Sequence, residues 1–240
     1  MGTQSFHLYK HNFLLESDWH VHTNYVDGSS SVYENVKKAK ENGLKMIGIT
    51  EHVRRDLTYN FEDLLNEINE SKEEIDIDIL VGVEAKVIDQ YGTLDISDPL
   101  RDKVDFVMGS FHSWYKEENP TIEEYKSSLL NMINSKKADI WAHPLLFIKN
   151  YNLSISENDL TEILISLKNN DMVVEINLRH QLPSIIFLKR LIDNNISLVL
   201  GSDAHKANEI WNKEKPHFID DHHWEILINK QKELIDGNKN

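Results

Sequence analysis

Histidines and carboxylates recur along this 240-residue chain at the ends of short apolar runs. The stretch "SDWHVHTNYVDG" (17–28) carries His20 and His22 one residue apart, with Asp18 before them and Asp27 after. Further on stand Glu51 and His52 in "ITEH", Glu84 in "GVE", His112 in "GSFH" and His143 in "AHP". Glu175 and Asn177 follow in "VEIN", then Asp203 and His205 in "GSDAH". Imidazole nitrogen suits zinc, iron and manganese, and carboxylate oxygen adds manganese and magnesium. One cation needs three or four protein ligands. This set offers roughly eight or nine, enough for two or three cations. Closely spaced cations share a bridging ligand, and Glu84 is the candidate bridge. One His-x-His pair is weak evidence, because such pairs occur on surfaces by chance. Seven chemically similar run ends in one chain carry the inference together.

The elements that must position these residues are readable from periodicity. Strand-type runs are expected at 13–23, 45–52, 77–87, 104–112, 138–144, 172–177 and 197–205. Helices are expected at 31–43, 60–75, 121–136, 156–170, 184–195 and 221–235. In the first of these, Val32, Val36 and Ala39 form an apolar stripe and Gly43 is a stop signal. Apolar strands alternating with amphipathic helices indicate a parallel sheet covered on both faces. Seven such units suit a closed or nearly closed α/β barrel, and the chain has no glycine-rich phosphate loop that would favour an open sheet. In a barrel the strand ends meet at one face, where active sites lie. Period-2 geometry aims His20 and His22 at the same side, and by the same reasoning Asp203 and His205. One domain over 1–240, with its motif-bearing core at about 13–206, is the simplest organisation. His7, His11, His217, His222 and His223 read as surface residues, and His180 is undecided.

Composition narrows the function classes. With 26 basic and 40 acidic residues the formal charge is −14, a field that repels phosphate backbones, so nucleic acid is not an expected partner. The chain has no cysteine, which excludes thiolate metal sites and disulfides. No signal peptide is recognised, and no apolar run is long enough to cross a membrane. A cytoplasmic location is the default.

The order of motifs resembles the PHP family, the polymerase-and-histidinol-phosphatase group of metal-dependent phosphoesterases. "DWHVHTNYVDG", "ITEH", "GVE", "GSFH", "AHP", "VEIN" and "GSDAH" occur in sequence over roughly 13–206. The resemblance implies a single distorted (β/α)7 TIM-like barrel with up to three zinc, manganese or iron ions. It implies one ion on His20, His22, Glu84 and Asp203, with Glu84 bridging to a second on His112 and His143. A third would sit on His52, His205 and a residue near Asp27. Glu51, where the family often has aspartate, is read as orienting a ligand. "VEIN" followed by Arg179 is similar to histidinol-phosphate phosphatases, whereas "VDGSSS" departs from their first loop and resembles stand-alone phosphoesterases.

The chemistry implied is hydrolysis of a small-molecule phosphate ester, histidinol phosphate being one example. Clustered cations would generate a hydroxide near neutral pH and neutralise the phosphoryl oxygens. Arg179 and then Arg54 are the expected substrate-binding cations, and Asp203 and His205 the catalytic candidates. Two other classes fit less well. An amidohydrolase-like enzyme cleaving a C–N or C–O bond commonly needs a bridging modified lysine, which no strand end clearly supplies. A metal-binding but non-catalytic PHP module would normally have lost ligands. Trp114, Tyr115, Phe147 and Tyr151 either wall a pocket or pack against a helix.

Overall fold

A computed structural model of the chain describes residues 15–237. The expected strand start at 13–14, and His7 and His11, lie outside the described residues. Seven strands run in chain order: β1 Ser17–Val21, β2 Met46–Val53, β3 Asp78–Lys86, β4 Phe106–Ser110, β5 Ile140–Trp141, β6 Val173–Asn177 and β7 Leu198–Gly201. Each pairs in parallel with its neighbour in the order β1 to β7. The ring is nearly closed by a parallel bridge between Val21 and Ala204, where His22 N donates to Ala204 O at 2.8 Å. Buried Asp18 ties this seam. Its carboxylate accepts from the backbone N–H of Ser202 (2.8 Å), Trp211 (3.2 Å) and His20 (3.3 Å).

Helices α1 Val32–Glu41, α2 Phe61–Glu74, α4 Ile122–Ser135, α6 Glu157–Asn169 and α7 Ile185–Asp193 cover the outside. Their starts are written in the sequence. Ser31 with Glu34, Thr121 with Glu124 and Ser156 with Asp159 form reciprocal N-terminal caps. Two short helices, α3 Asp98–Arg101 and α5 Leu146–Asn150, were not expected; each is too short to show a 3.6-residue period. The last helix, α8, is Asp221–Gly237.

The barrel interior below the strand ends is packed by Trp19, Met46, Leu80, Phe106, Met108, Ile140, Ala142, Val173 and Val199. Glycine makes room for the largest of these contacts. A Cβ on Gly82 would stand 2.3 Å from Phe106 Cζ, so only hydrogen there lets the ring cross the interior. Trp19 packs edge-on against it at 5.3 Å. This floor leaves only the upper rim of the barrel open for polar groups.

Four strands stop short of the expected ends: β4 stops at Ser110 and β5 at Trp141, so His112 and His143 lie just past them, and β1 and β7 are short as well. β1 ends at Val21 and carries an irregularity between Asp18 and Val21. β7 ends at Gly201, so Asp203 and His205 are not strand residues. Asp203 has φ +56°, a left-handed turn that directs its side chain. Strand periodicity therefore accounts for neither pair in full: His22 stands one residue past β1, and Asp203 and His205 come from the turn after β7.

Candidate metal centre

Glu84 is buried in β3 at the middle of the rim. Its Oε1 lies 2.8 Å from Nε2 of His112 and 2.8 Å from Nε2 of His143. Its Oε2 lies 3.0 Å from Nδ1 of His52, 3.5 Å from Nε2 of His20 and 3.7 Å from Nε2 of His22. One carboxylate thus faces five imidazoles, divided between its two oxygens. Ladder register sets part of this directly, because His52 and Glu84 are partners across β2 and β3. Burial alone would raise the Glu84 acid, but His112, with His143 and His20, holds it well below the usual range.

Two further groupings flank this carboxylate. His20 Nε2 and His22 Nε2 stand 3.0 Å apart. Asp203 Oδ1 approaches them at 3.9 and 3.4 Å. On the other side Asp27 Oδ2 lies 3.3 Å from His52 Nε2 and 3.4 Å from His205 Nε2. The His22 ring is 4.5 Å from those of both His52 and His205. Three sets have ligand atoms close enough to share an ion: His20, His22 and Glu84; His52, Glu84 and His112; and His22, Asp27, His52 and His205.

The donors fit divalent cations. Nδ1 of His22, Nδ1 of His52 and Nε2 of His112 are buried without a hydrogen-bond partner. The last two are close to Glu84 yet out of hydrogen-bond alignment with it. Leaving a buried polar nitrogen unpaired costs about 1–3 kcal/mol, and three together at one rim would be an unusual burden for a purely structural cluster. Nitrogen and oxygen donors without sulfur suit zinc, manganese or iron.

Other residues aim these donors. Glu175, fully buried in β6, accepts from Nδ1 of His20 at 2.8 Å. Its other oxygen accepts from the His143 backbone N–H. The Nδ1 contact with Glu175 puts a His20 proton on Nδ1 and leaves Nε2 facing the cluster. Gly201 makes the arrangement possible, since a Cβ there would sit 2.2 Å from Glu175 Oε1. His205 Nδ1 lies 3.0 Å from the Asp203 carbonyl and 3.2 Å from Arg179, with Nε2 on the Asp27 side. Burial would lower His20, but Glu175 and Asp203 raise it well above its ordinary value. Burial pushes His22 down to about 4, with His20 adding to the effect.

The nine expected ligands come together here: His20, His22, Asp27, His52, Glu84, His112, His143, Asp203 and His205. Glu51, expected to orient a ligand, accepts from Thr23 N and from Thr23 Oγ1 (2.7 Å) and so holds the backbone just after His22. Glu175 stands at a strand end in the sequence, but nothing there reveals its contact with His20, 155 residues away. His180, undecided from sequence, lies at the rim with Nε2 3.4 Å from Asp203 Oδ2. His217 and His222 are exposed, while His223 is half-buried against Asp220.

Arg179 reaches the rim. One of its nitrogens contacts the Asp203 carbonyl (3.3 Å), His205 Nδ1 (3.2 Å) and Glu209 (3.4 Å). Arg54 stands beyond β2, with Nε 3.9 Å from Asp95. Trp114 and Phe147 are buried and pack with Tyr151 and Tyr125, so helix packing accounts for most of that aromatic group. Among the described residues no helix is long and apolar enough to cross a membrane.

A family model described as PHP domain matches residues 18–179. A probable phosphatase of Clostridium novyi is 29% identical over 233 residues, covering 90% of this chain and 88% of the relative. One from Thermoanaerobacter is 26% identical over 206 residues, covering 82% and 81%. A solved structure from Listeria monocytogenes, presented as a presumed histidinol phosphatase, superposes with a TM-score of 0.63 at 18% identity, covering 81% of this chain and 97% of that one.

Proposed function

The chain belongs to the PHP domain family, and from that premise we propose that it is a metal-dependent phosphatase acting on a small-molecule phosphate monoester. The observation that carries this reading is Glu84, whose two oxygens face five imidazoles at 2.8–3.7 Å. His20, His22, Glu84 and Asp203 would hold one cation. Glu84, His112 and His143 would hold a second, and Asp27, His52 and His205 a third. When bound, such cations supply hydroxide near neutral pH and neutralise phosphoryl charge.

The chain's own residues prepare that site. Glu175 keeps the His20 proton on Nδ1 and so points a lone pair inward. Arg179, pinned by the Asp203 carbonyl and Glu209, turns a guanidinium toward the opening where phosphate oxygens would lie. Asp203, held as an anion beside His20 and His22 against its own burial, orients the reacting water. The floor of Trp19 and Phe106 keeps water from entering below. Cytoplasmic histidinol phosphate is one candidate substrate.

A hydrolysis panel on metal-loaded protein tests the activity. Phosphate release from p-nitrophenyl phosphate and related monoesters is expected. Turnover of amides or lactones with none of phosphate esters would replace this reading with amidohydrolase chemistry. Full metal loading without any turnover would make the chain a non-catalytic module.

A further inference from the structure

The β2–β3 ladder places a second pair of residues above the ligands. His52 and Glu84 are cross-strand partners, and Val53 pairs with Ala85. One step further, Arg54 comes beside Lys86, each two residues beyond a ligand. Side chains two apart on a strand share a face, which puts Lys86 above Glu84 in β3, while Arg54 is the first residue past β2. Lys86 also pairs with Ser110 of β4, and its Nζ donates to Ser113 Oγ at 2.6 Å, directly after His112. The ammonium is therefore fixed at the rim between Glu84 and His112.

Among the described residues Lys86 Nζ has no carboxylate oxygen within 4.0 Å, and its side-chain hydrogen bond goes to Ser113. Asp95 is the acidic group facing the pair. One of its oxygens is 3.9 Å from Arg54 Nε and the other accepts from Arg55 N at 3.1 Å. Two cations share one carboxylate in a chain whose net charge is −14. Arg179 sits apart from them, beside Asp203 and His205 with its own carboxylate. Adjacent like charges at a cleft mouth are stabilised by an anion bound between them.

We propose that Lys86 with Arg54 forms a second anion subsite, and that the preferred substrates are phosphate monoesters whose leaving group carries a further anionic group, a carboxylate or a second phosphate. This rests on the phosphatase reading and narrows it. A leaving group bearing a cationic amine, as in histidinol phosphate, meets like charge at this rim and is disfavoured.

The test uses metal-loaded full-length protein and four short esters: glycerol phosphate, phosphoglycerate, propanediol bisphosphate and phosphoethanolamine. Turnover is measured as kcat/KM and binding by calorimetry. Phosphoglycerate or propanediol bisphosphate is expected to exceed phosphoethanolamine by about tenfold or more in both, and whichever leads identifies carboxylate or phosphate. Lys86→Met should reduce that ratio by about tenfold and Lys86→Arg should retain it, with metal content reporting that each variant is folded. A preference for phosphoethanolamine, or a ratio unmoved in Lys86→Met, would overturn the subsite. A binding preference that depends on Lys86, with no ester hydrolysed, would uphold the subsite and remove the phosphatase reading.

Discussion

Glu175 shows how a residue outside the ligand set governs one inside it. Glu175→Gln keeps the shape of the side chain but replaces a carboxylate oxygen that accepts from His20 Nδ1 at 2.8 Å. Loss of such a partner typically costs about 10–100-fold in metal affinity. A zinc or manganese titration of the variant should show that loss with the fold retained; wild-type affinity would remove Glu175 from the positioning role. The rim also carries a proton that metal must displace. His20 is raised well above 6.5, so the metal-free fold keeps it protonated at neutral pH. Its contribution to stability is present below about pH 6.5 and is lost as pH rises through the raised value. Glu84 and Asp203 are depressed, so theirs is present above about pH 4 and lost as pH falls. Zinc binding at pH 7, measured in buffers of different ionisation enthalpy, should therefore release protons; identical heats in all buffers would contradict this. The candidate ligands were legible as a group, because histidines and carboxylates at apolar run ends are conspicuous. Glu175, Lys86 and the Thr23 contact of Glu51 were not, because each depends on a partner that only the folded barrel brings near.

At the scale of elements, two glycines separate floor from rim. Gly82→Ala would drive a methyl into Phe106, with a Cβ only 2.3 Å from Cζ. Overpacking of this kind costs about 1–3 kcal/mol, so thermal stability should fall while metal content is kept. Gly201→Ala would instead press on Glu175 Oε1 at 2.2 Å and His20 Cβ at 2.7 Å. That variant should lose metal affinity, measured by the same titration. Equal effects of the two on metal content would show that the rim and the floor are not separable. Strand existence was readable from apolar runs between amphipathic helices, such as the one marked by Val32, Val36 and Ala39. Strand ends were less so. β7 stops at Gly201 and a positive-φ turn carries Asp203 into the site, and no period in "GSDAH" announces that turn.

For the whole molecule, the barrel gathers residues from Asp18 to Trp211 at one seam and one rim. Cations bound there stabilise only the folded chain, so chelation should lower the melting temperature, and added zinc or manganese should restore it. The parallel topology was readable because short apolar strands alternated with helices. Near-closure was readable too, but not the groups that make the seam, which are Asp18 and the Val21–Ala204 bridge. The central claim is that Glu84 joins several cations into one hydrolytic site, and metal counting against phosphate release tests it most directly. Purified wild-type protein should carry two or three ions per chain, as the ligand supply of about nine implies, and release phosphate. Glu84→Ala should lose more than one ion together with the activity. Unchanged metal content and activity in Glu84→Ala would contradict the account.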